Sequence, residues 1–365
     1  MNPAGAHASA SLDSTGLPTA PSGPGPHRSR RLLGILLFAL GIGALAVLLA
    51  IVGLPAIAAN LSAIGWWFLI VVLLNGGSQL AFTYGWKVLI GRRPNGPVTF
   101  GDAFAAYLAG DSVNYFTTVA GEPLKAQLLS RKLGYPKALA TVAVHRHAEV
   151  ASQGIFLALG IGITLTHFRV PAGIRIAALS GLALLAGLTL WMTIALRHGA
   201  FVAILDRLKR FRPLRGLRRF SRAAARLDVL IGDFYERRQE HFAEAVVWSF
   251  LGWCGGLLET YILLRLLAPG EGWRTAVAIE SLSLALNNVA LFVPARLGIA
   301  EGVRVGVFLL LGLTAAQGAA YGVARRAREL LWLIPGLVVL LKHHLLDLRH
   351  LHLSEMRLDE GGAAG

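Results

Sequence analysis

From residue 32 onward the chain alternates long apolar runs with short polar, mostly basic ones. Six runs, 32–54, 66–90, 137–166, 173–196, 242–267 and 316–341, are long enough to cross a hydrocarbon layer. Such a layer is about 30 Å thick and takes roughly 20 helical residues at about 1.5 Å each. Two further stretches, 101–133 and 276–312, are only moderately apolar and are interrupted. The first breaks at Thr117-Thr118-Val119-Ala120-Gly121 and the second at Pro294-Ala295-Arg296-Leu297-Gly298. Each predicts two short helices that enter and leave on one side, because non-helical backbone at membrane depth persists only where protein or a watery cavity shields it. The pattern predicts an all-α integral membrane protein with six full transmembrane helices plus two re-entrant broken-helix hairpins. Three spans separate the hairpins, an odd number, so the hairpins enter from opposite faces. That is an inverted repeat, with repeat one over about 60–196 and repeat two over about 242–345.

Composition supports this class. The 365-residue chain is 55% hydrophobic and 15% charged, against about 25% charged for a soluble domain, and its mean hydropathy is +0.59. The net charge of +15 does not point to nucleic acid, since the basic residues lie between apolar runs and at their ends. That placement follows the positive-inside rule and suits anionic lipid headgroups. Between Arg197 and Glu240 there are twelve Lys/Arg against five Asp/Glu, which marks 197–241 as the main cytoplasmic loop. Its basic stretch 211–227 suits a helix lying on headgroups. Residues 1–27, rich in Ala, Ser, Gly and Pro, predict a disordered tail. Residues 28–345 form the membrane domain, and 346–365 a short polar tail. Arg28, Arg30 and Arg31 ahead of run 32–54 resemble the start of a signal peptide. The run exceeds the roughly 7–15 residues usual there, so a retained span with a cytoplasmic N-terminus is expected. The charge bias also places the C-terminus in the cytoplasm. Cys254 is the only cysteine, which excludes an intrachain disulfide and a cysteine metal cluster.

The stretch 287–332 contradicts its own hydrophobicity. It carries Asn287, Asn288, Arg296, Glu301, Arg304, Arg325, Arg326, Arg328 and Glu329. A charge at the centre of a membrane helix costs ~2.5–3.5 kcal/mol on the mildest scale, so this density implies a polar pathway or internal ion pairs. Stretch 111–153 repeats the arrangement: Glu122 and Glu301 are 179 residues apart (301 − 122), as are Arg146 and Arg325 (325 − 146). Glu122 and Glu301 fall in the first turn after each break. A carboxylate there stabilises the helix dipole by ~0.3–1 kcal/mol and can pair with Arg146 or Arg325 for structure alone. The functional reading makes these pairs gates around a headgroup, because a helix N-terminus aimed at the midplane also attracts phosphate.

Arg146, Glu149 and Gln153 share one helical face. Arg325, Arg326 and Arg328 cannot all point one way, so Arg325 with Arg328 forms a candidate headgroup clamp, snorkelling or ion pairing being the bland alternative. Lys125 and Glu329 belong to the same polar set. Asn114, Asn287 and Asn288 are expected to satisfy backbone groups freed at the breaks. His145 and His147 lack the i,i+4 spacing of a helical metal site. The sequence has no nucleotide-binding glycine loop, metal-carboxylate motif or Ser/His/Asp spacing that indicates catalysis, so neither an enzyme nor a cofactor or metal is expected.

At Gly121-Glu122 followed by Lys125 and Leu128, and at Pro294 through Leu297-Gly298-Ile299-Ala300-Glu301-Gly302 with Arg325-Arg326-Ala327-Arg328-Glu329-Leu330-Leu331-Trp332, the chain resembles the lysylphosphatidylglycerol synthase transmembrane-region, or flippase-like, family. The second motif and Gln153-Gly154-Ile155-Phe156-Leu157 look most like its hopanoid-biosynthesis-associated subgroup, and the similarity covers roughly residues 32–345. The resemblance implies a bacterial inner-membrane protein that moves a polar or hopanoid-type lipid between leaflets, passively or coupled to an ion. Its partners would be membrane lipids, with biosynthetic proteins as a further possibility. An accessory protein or enzyme of hopanoid or glycolipid biosynthesis is the alternative it leaves open. Arg296 at the second break and Pro123 directly after Glu122 depart from the family's pattern. After Leu346 only a short polar tail follows, so synthesis of aminoacyl-lipid is not expected.

Overall fold

The computed structural model describes residues 55, 59, 62–91, 96–117, 119–208, 221–289 and 299–362. The expected tail 1–27, the expected span 32–54, the second break with Arg296, and residues 209–220 of the basic loop lie outside the described residues. The rest is helical: α1 (Trp67–Ile90), α2 (Phe100–Thr117), α3 (Gly121–Leu133), α4 (Tyr135–His167), α5 (Ala172–Arg197), α6 (Ala200–Leu208), α7 (Ser221–Arg237), α8 (Gln239–Leu267), α9 (Trp273–Val289), α10 (Ile299–Leu310) and α11 (Ala315–Gly362). Four of them, α1, α4, α5 and α8, are long and apolar enough to cross a membrane. The molecule is an all-α membrane protein.

Helix lengths separate two kinds of element. At about 1.5 Å per residue, α3 with 13 residues and α10 with 12 reach only about 20 Å, well short of a bilayer core. α4 runs for 33 residues, α8 for 29, and α11 continues from Ala315 through the expected polar tail to Gly362. Pro171 starts α5 with ψ near +146°, and the Tyr135-Pro136 start of α4 places a proline where no amide donor is needed.

Adding 179 to the bounds of the first four helices lays α1 over α8 (246–269 on 239–267) and α2 over α9 (279–296 on 273–289). It lays α3 over α10 (300–312 on 299–310) and starts α4 at 314 against 315 for α11. Packing follows the same exchange. α1 packs on α8; α2 packs on α11 as α9 does on α4; α3 packs on α4 as α10 does on α11. In lipid, helices associate through close packing of small residues rather than by expelling water. Here Gly336 of α11 meets α2 so closely that an added Cβ would lie 2.0 Å from Ser112 Oγ and 2.4 Å from the Leu108 carbonyl.

The apolar core runs between α4, α8, α9, α10 and α11 through Leu157, Ile161, Leu263, Ile279, Phe308 and Tyr321. α5 instead exposes Ile176, Leu184, Leu190, Trp191 and Ile194, as a lipid-facing helix does. In the basic loop, Asp228 of α7 accepts the Phe201 and Val202 amides at 3.0 and 2.9 Å and so caps α6. α7 buries Leu227, Ile231 and Tyr235 against α4 and α5 and turns Val229 outward. His147 of α4 joins this seam, with Nδ1 2.6 Å from the Tyr235 hydroxyl and Nε2 3.0 Å from Thr193.

Candidate functional site

The first polar cluster grows from the turn between α2 and α3. Gly110 and Gly121 let the two helices touch: a Cβ on Gly121 would lie 1.9 Å from the Gly110 carbonyl. That approach lets Asn114 of α2 reach the start of α3, where its Oδ1 accepts the Gly121 amide at 2.8 Å and its Nδ2 donates to Glu122 at 2.9 Å. Asn114 thus satisfies an amide freed at the break. Lys125, one turn on, lies 3.4 Å from Glu122 and 4.3 Å from the centre of the Tyr107 ring. Tyr107 in turn donates to Glu149 of α4 at 3.0 Å. Glu149 also accepts from Arg146 at 3.1 Å, with His145 at 3.7 Å. Gln153 lies half-buried on α4 and outside this network.

The second cluster is built on α11. Arg326 forks onto Glu301 of α10 at 2.6 and 2.8 Å, then donates to Glu329 at 3.2 Å and to the Tyr115 hydroxyl of α2 at 2.6 Å. Arg304 lies 3.4 Å from Glu329 and 3.9 Å from Glu301. Arg325 turns to Glu280 of α9, to Thr260 and Tyr321, and to Glu259 of α8 at 3.4 Å. Arg328 shares Glu259, at 3.3 Å. Glu259 is 0% exposed, which membrane protein tolerates only because two guanidiniums face it.

The partner expected for Glu301 from the repeat spacing, Arg325, is therefore corrected to Arg326. Neighbouring residues of a helix point about 100° apart, and Glu280 and Glu259 claim the side on which Arg325 lies. For the same reason Arg325 and Arg328 meet over Glu259 rather than forming an open clamp.

Both clusters face one cavity of about 400 Å³. α1 contributes Asn75 and Gln79, α2 Asp111, Asn114 and Tyr115, α4 Arg146, α9 Asn287, and α10 and α11 Arg304, Arg326, Arg328, Glu329 and Trp332. Of the residues named from sequence, the structure brings Asn114, Arg146, Asn287, Arg304, Arg326, Arg328 and Glu329 to its wall. Glu122, Lys125, Glu149, Glu301 and Arg325 stand outside the lining, most of them behind it as partners. Arg146 leaves 47% of its side chain accessible while its partner Glu149 keeps 6%. Asn287 Oδ1 and Asn288 Nδ2 are buried without a hydrogen-bond partner among the described residues, and the break whose backbone they were expected to satisfy lies outside those residues.

Reading the sequence missed Asp111, Tyr115, Gln79, Glu259 and Glu280 as site-forming residues. The signal for Glu259 was present: a carboxylate in the middle of the apolar run 248–267. Asp111 was visible in the same way. Tyr115 and Gln79 carry no such mark, because they become polar partners only through helix contact.

No curated protein and no solved structure matches the chain. The family model described as the lysylphosphatidylglycerol synthase TM region matches residues 31–336. That match takes in every helix that walls the cavity, and the chain belongs to the lysylphosphatidylglycerol synthase TM region family of lipid-related membrane proteins.

Proposed function

We propose that the chain translocates a polar lipid between the leaflets of a bacterial inner membrane, with its termini in the cytoplasm. The headgroup occupies the cavity between the two halves while the acyl or polycyclic tail stays in the bilayer. The observation that carries this reading is the polar chamber lined by α1, α2 and α4 of one half together with α9, α10 and α11 of the other. A scaffold would not need ionisable residues from four helices, and neutral polar ones from two more, converging on one space, given what each charge costs in lipid. The exchange of helix partners between halves supports two inverted copies around the chamber, the arrangement in which alternating access arises by swapping conformations. No nucleotide-binding motif is present in the sequence, so movement is passive or ion-coupled. The subgroup resemblance favours a hopanoid-type or related lipid.

The test is a leaflet-specific quench assay with labelled lipid in liposomes containing the purified protein. Transport predicts that lipid protected in the inner leaflet becomes quenchable, and that Glu301→Gln inserts normally yet abolishes transfer. Full activity in a well-folded Glu301→Gln protein would remove the gating role. Chemical modification of the lipid instead of transfer would identify an enzyme of hopanoid or glycolipid synthesis, and neither outcome would leave an accessory role.

A further inference from the structure

The charges around the chamber balance in one half and not in the other. In the second half four carboxylates, Glu259, Glu280, Glu301 and Glu329, meet Arg304, Arg325, Arg326 and Arg328, and every one of them closes an ion pair. In the first half Lys125 and Arg146 pair with Glu122 and Glu149, which leaves Asp111 over. Asp111 stands on the cavity wall and, among the described residues, forms no ion pair. Gln79 of α1 reaches it only at 3.4 Å.

α2 packs on α1, α3 and α11, and none of them brings Asp111 a cation of its own. α1 offers the neutral Asn75 and Gln79. From α3 one cation, Lys125, and one anion, Glu122, act on it, and from α4 a second anion, Glu149. Lys125 is already held, bent over Gly110 with Glu122 at 3.4 Å and the Tyr107 ring at 4.3 Å. On α11, Arg326 closes on Glu301 and Arg328 on Glu259, while Glu329 holds Arg304 of α10. On α2 itself Tyr107 donates to Glu149 and Tyr115 accepts from Arg326. An ionised carboxylate without a partner is costly in such a place, and its protonated form is not. His145 of α4 also titrates, but it is 2% exposed and outside the lining, so exchange with water in the cavity falls to Asp111.

We propose that Asp111 is a proton-binding site and that a proton gradient drives the translocator through it. Water in the cavity delivers a proton to a carboxylate oxygen of Asp111 while the chamber faces one side of the membrane, and the same O–H bond gives its proton back to water on the other. Ionised Asp111 is a second acceptor for Arg146, whose half-exposed guanidinium spends one bond on Glu149; the protonated acid releases it. The Gln79 amide nitrogen and the Lys125 ammonium oppose a metal cation at this place, whereas a proton needs only the one carboxylate. This names the coupling ion of the translocator proposed above, and the coupling rests on that reading; the proton site rests on the surroundings of Asp111 alone.

The site is read first without lipid transfer. Infrared difference spectra of the full-length protein in detergent, taken above about pH 6 where exposed carboxylates are ionised, should show the C=O band of a protonated carboxyl that fades as the pH rises. Asp111→Asn should lack the band and His145→Gln should keep it. Asp111→Glu should retain it at a shifted frequency, which decides the matter if Asp111→Asn fails to fold. No titrating band, or one that persists in Asp111→Asn or stays unshifted in Asp111→Glu, overturns the proposal. Coupling is then read in liposomes holding the wild-type protein, with labelled short-chain phosphatidylethanolamine and phosphatidylglycerol as probes and the membrane potential clamped by valinomycin in equal potassium. With one proton moved per lipid, each pH unit across the membrane should shift the steady leaflet ratio about tenfold, and Asp111→Asn should remove that shift. A ratio that ignores the pH gradient, or follows a sodium gradient instead, overturns the coupling. If neither lipid crosses, the translocator reading falls and the infrared result still decides the proton site.

Discussion

Glu122 and Glu301 hold the same place in their two halves, yet one closes on a lysine and an asparagine and the other on two arginines. The lysine and one of those arginines are themselves equivalent, since 125 + 179 = 304. The difference lies in reach. In the first half the Lys and Arg pairs nearest the cavity stay within a helix, Glu122 with Lys125 and Arg146 with Glu149, neutral donors such as Tyr107 and Asn114 make the links between helices there, and the charged pair that crosses, Lys132 of α3 to Asp102 of α2, is a partly exposed one. In the second half the pairs themselves cross between helices: α10 to α11, α11 to α9, α11 to α8. A compact ammonium serves a local pair, whereas a guanidinium fork binds several partners at once. One frame thus carries a loosely tied half and a laced half.

The comparison can be broken at several points. Tyr135 and Thr314 are equivalent (135 + 179 = 314) and both exposed, each just beyond the C-terminal end of its short helix. In a Cys254→Ala background, a membrane-impermeant thiol reagent applied to intact cells should label Thr314→Cys and spare Tyr135→Cys. Labelling of both would end the inverted arrangement. Next in size, Arg325→Gln leaves Glu280 and Glu259 buried without their shared partner and should lower unfolding stability in detergent by ~3–5 kcal/mol. Tyr115→Phe removes the hydroxyl that accepts from Arg326, a link from α2 to α11 beside that of Ser112 to the Leu333 carbonyl, and should cost ~1.5–3 kcal/mol in the same measurement. Smallest is Arg146→Gln, the equivalent of Arg325→Gln. Its half-exposed side chain makes one pair, and Tyr107 still serves Glu149, so a change of ~0–1 kcal/mol is expected. Equal losses at positions 146 and 325 would erase the distinction between the halves.

Much of the frame was legible because its signals are local. Apolar length marks the spans, and the Thr117–Gly121 break ends α2 and starts α3 where the sequence changes character. The 179-residue offset, first seen in two residue pairs, carries over to four helices. Partner choice was not legible, because it depends on helix rotation. Position 326 is the example: its equivalent, His147, faces Tyr235 on α7, whereas Arg326 faces Glu301 and Tyr115. The spacing gave no reason to prefer residue 326 over 325. Glu280 and Glu259 were overlooked because each sits alone in an apolar run and gains meaning only when Arg325 arrives from elsewhere.

The partner exchange also bears on how such a molecule arises. α4 is covered by α9 and α11 by α2, so a half made by itself would present to lipid the surface its sister now hides, Gly336 and Ser112 among it. The pair, not the half, is the smallest object that closes. A half made alone would meet the same requirement only by pairing with a second copy, in the inverted arrangement that the thiol-labelling pair tests.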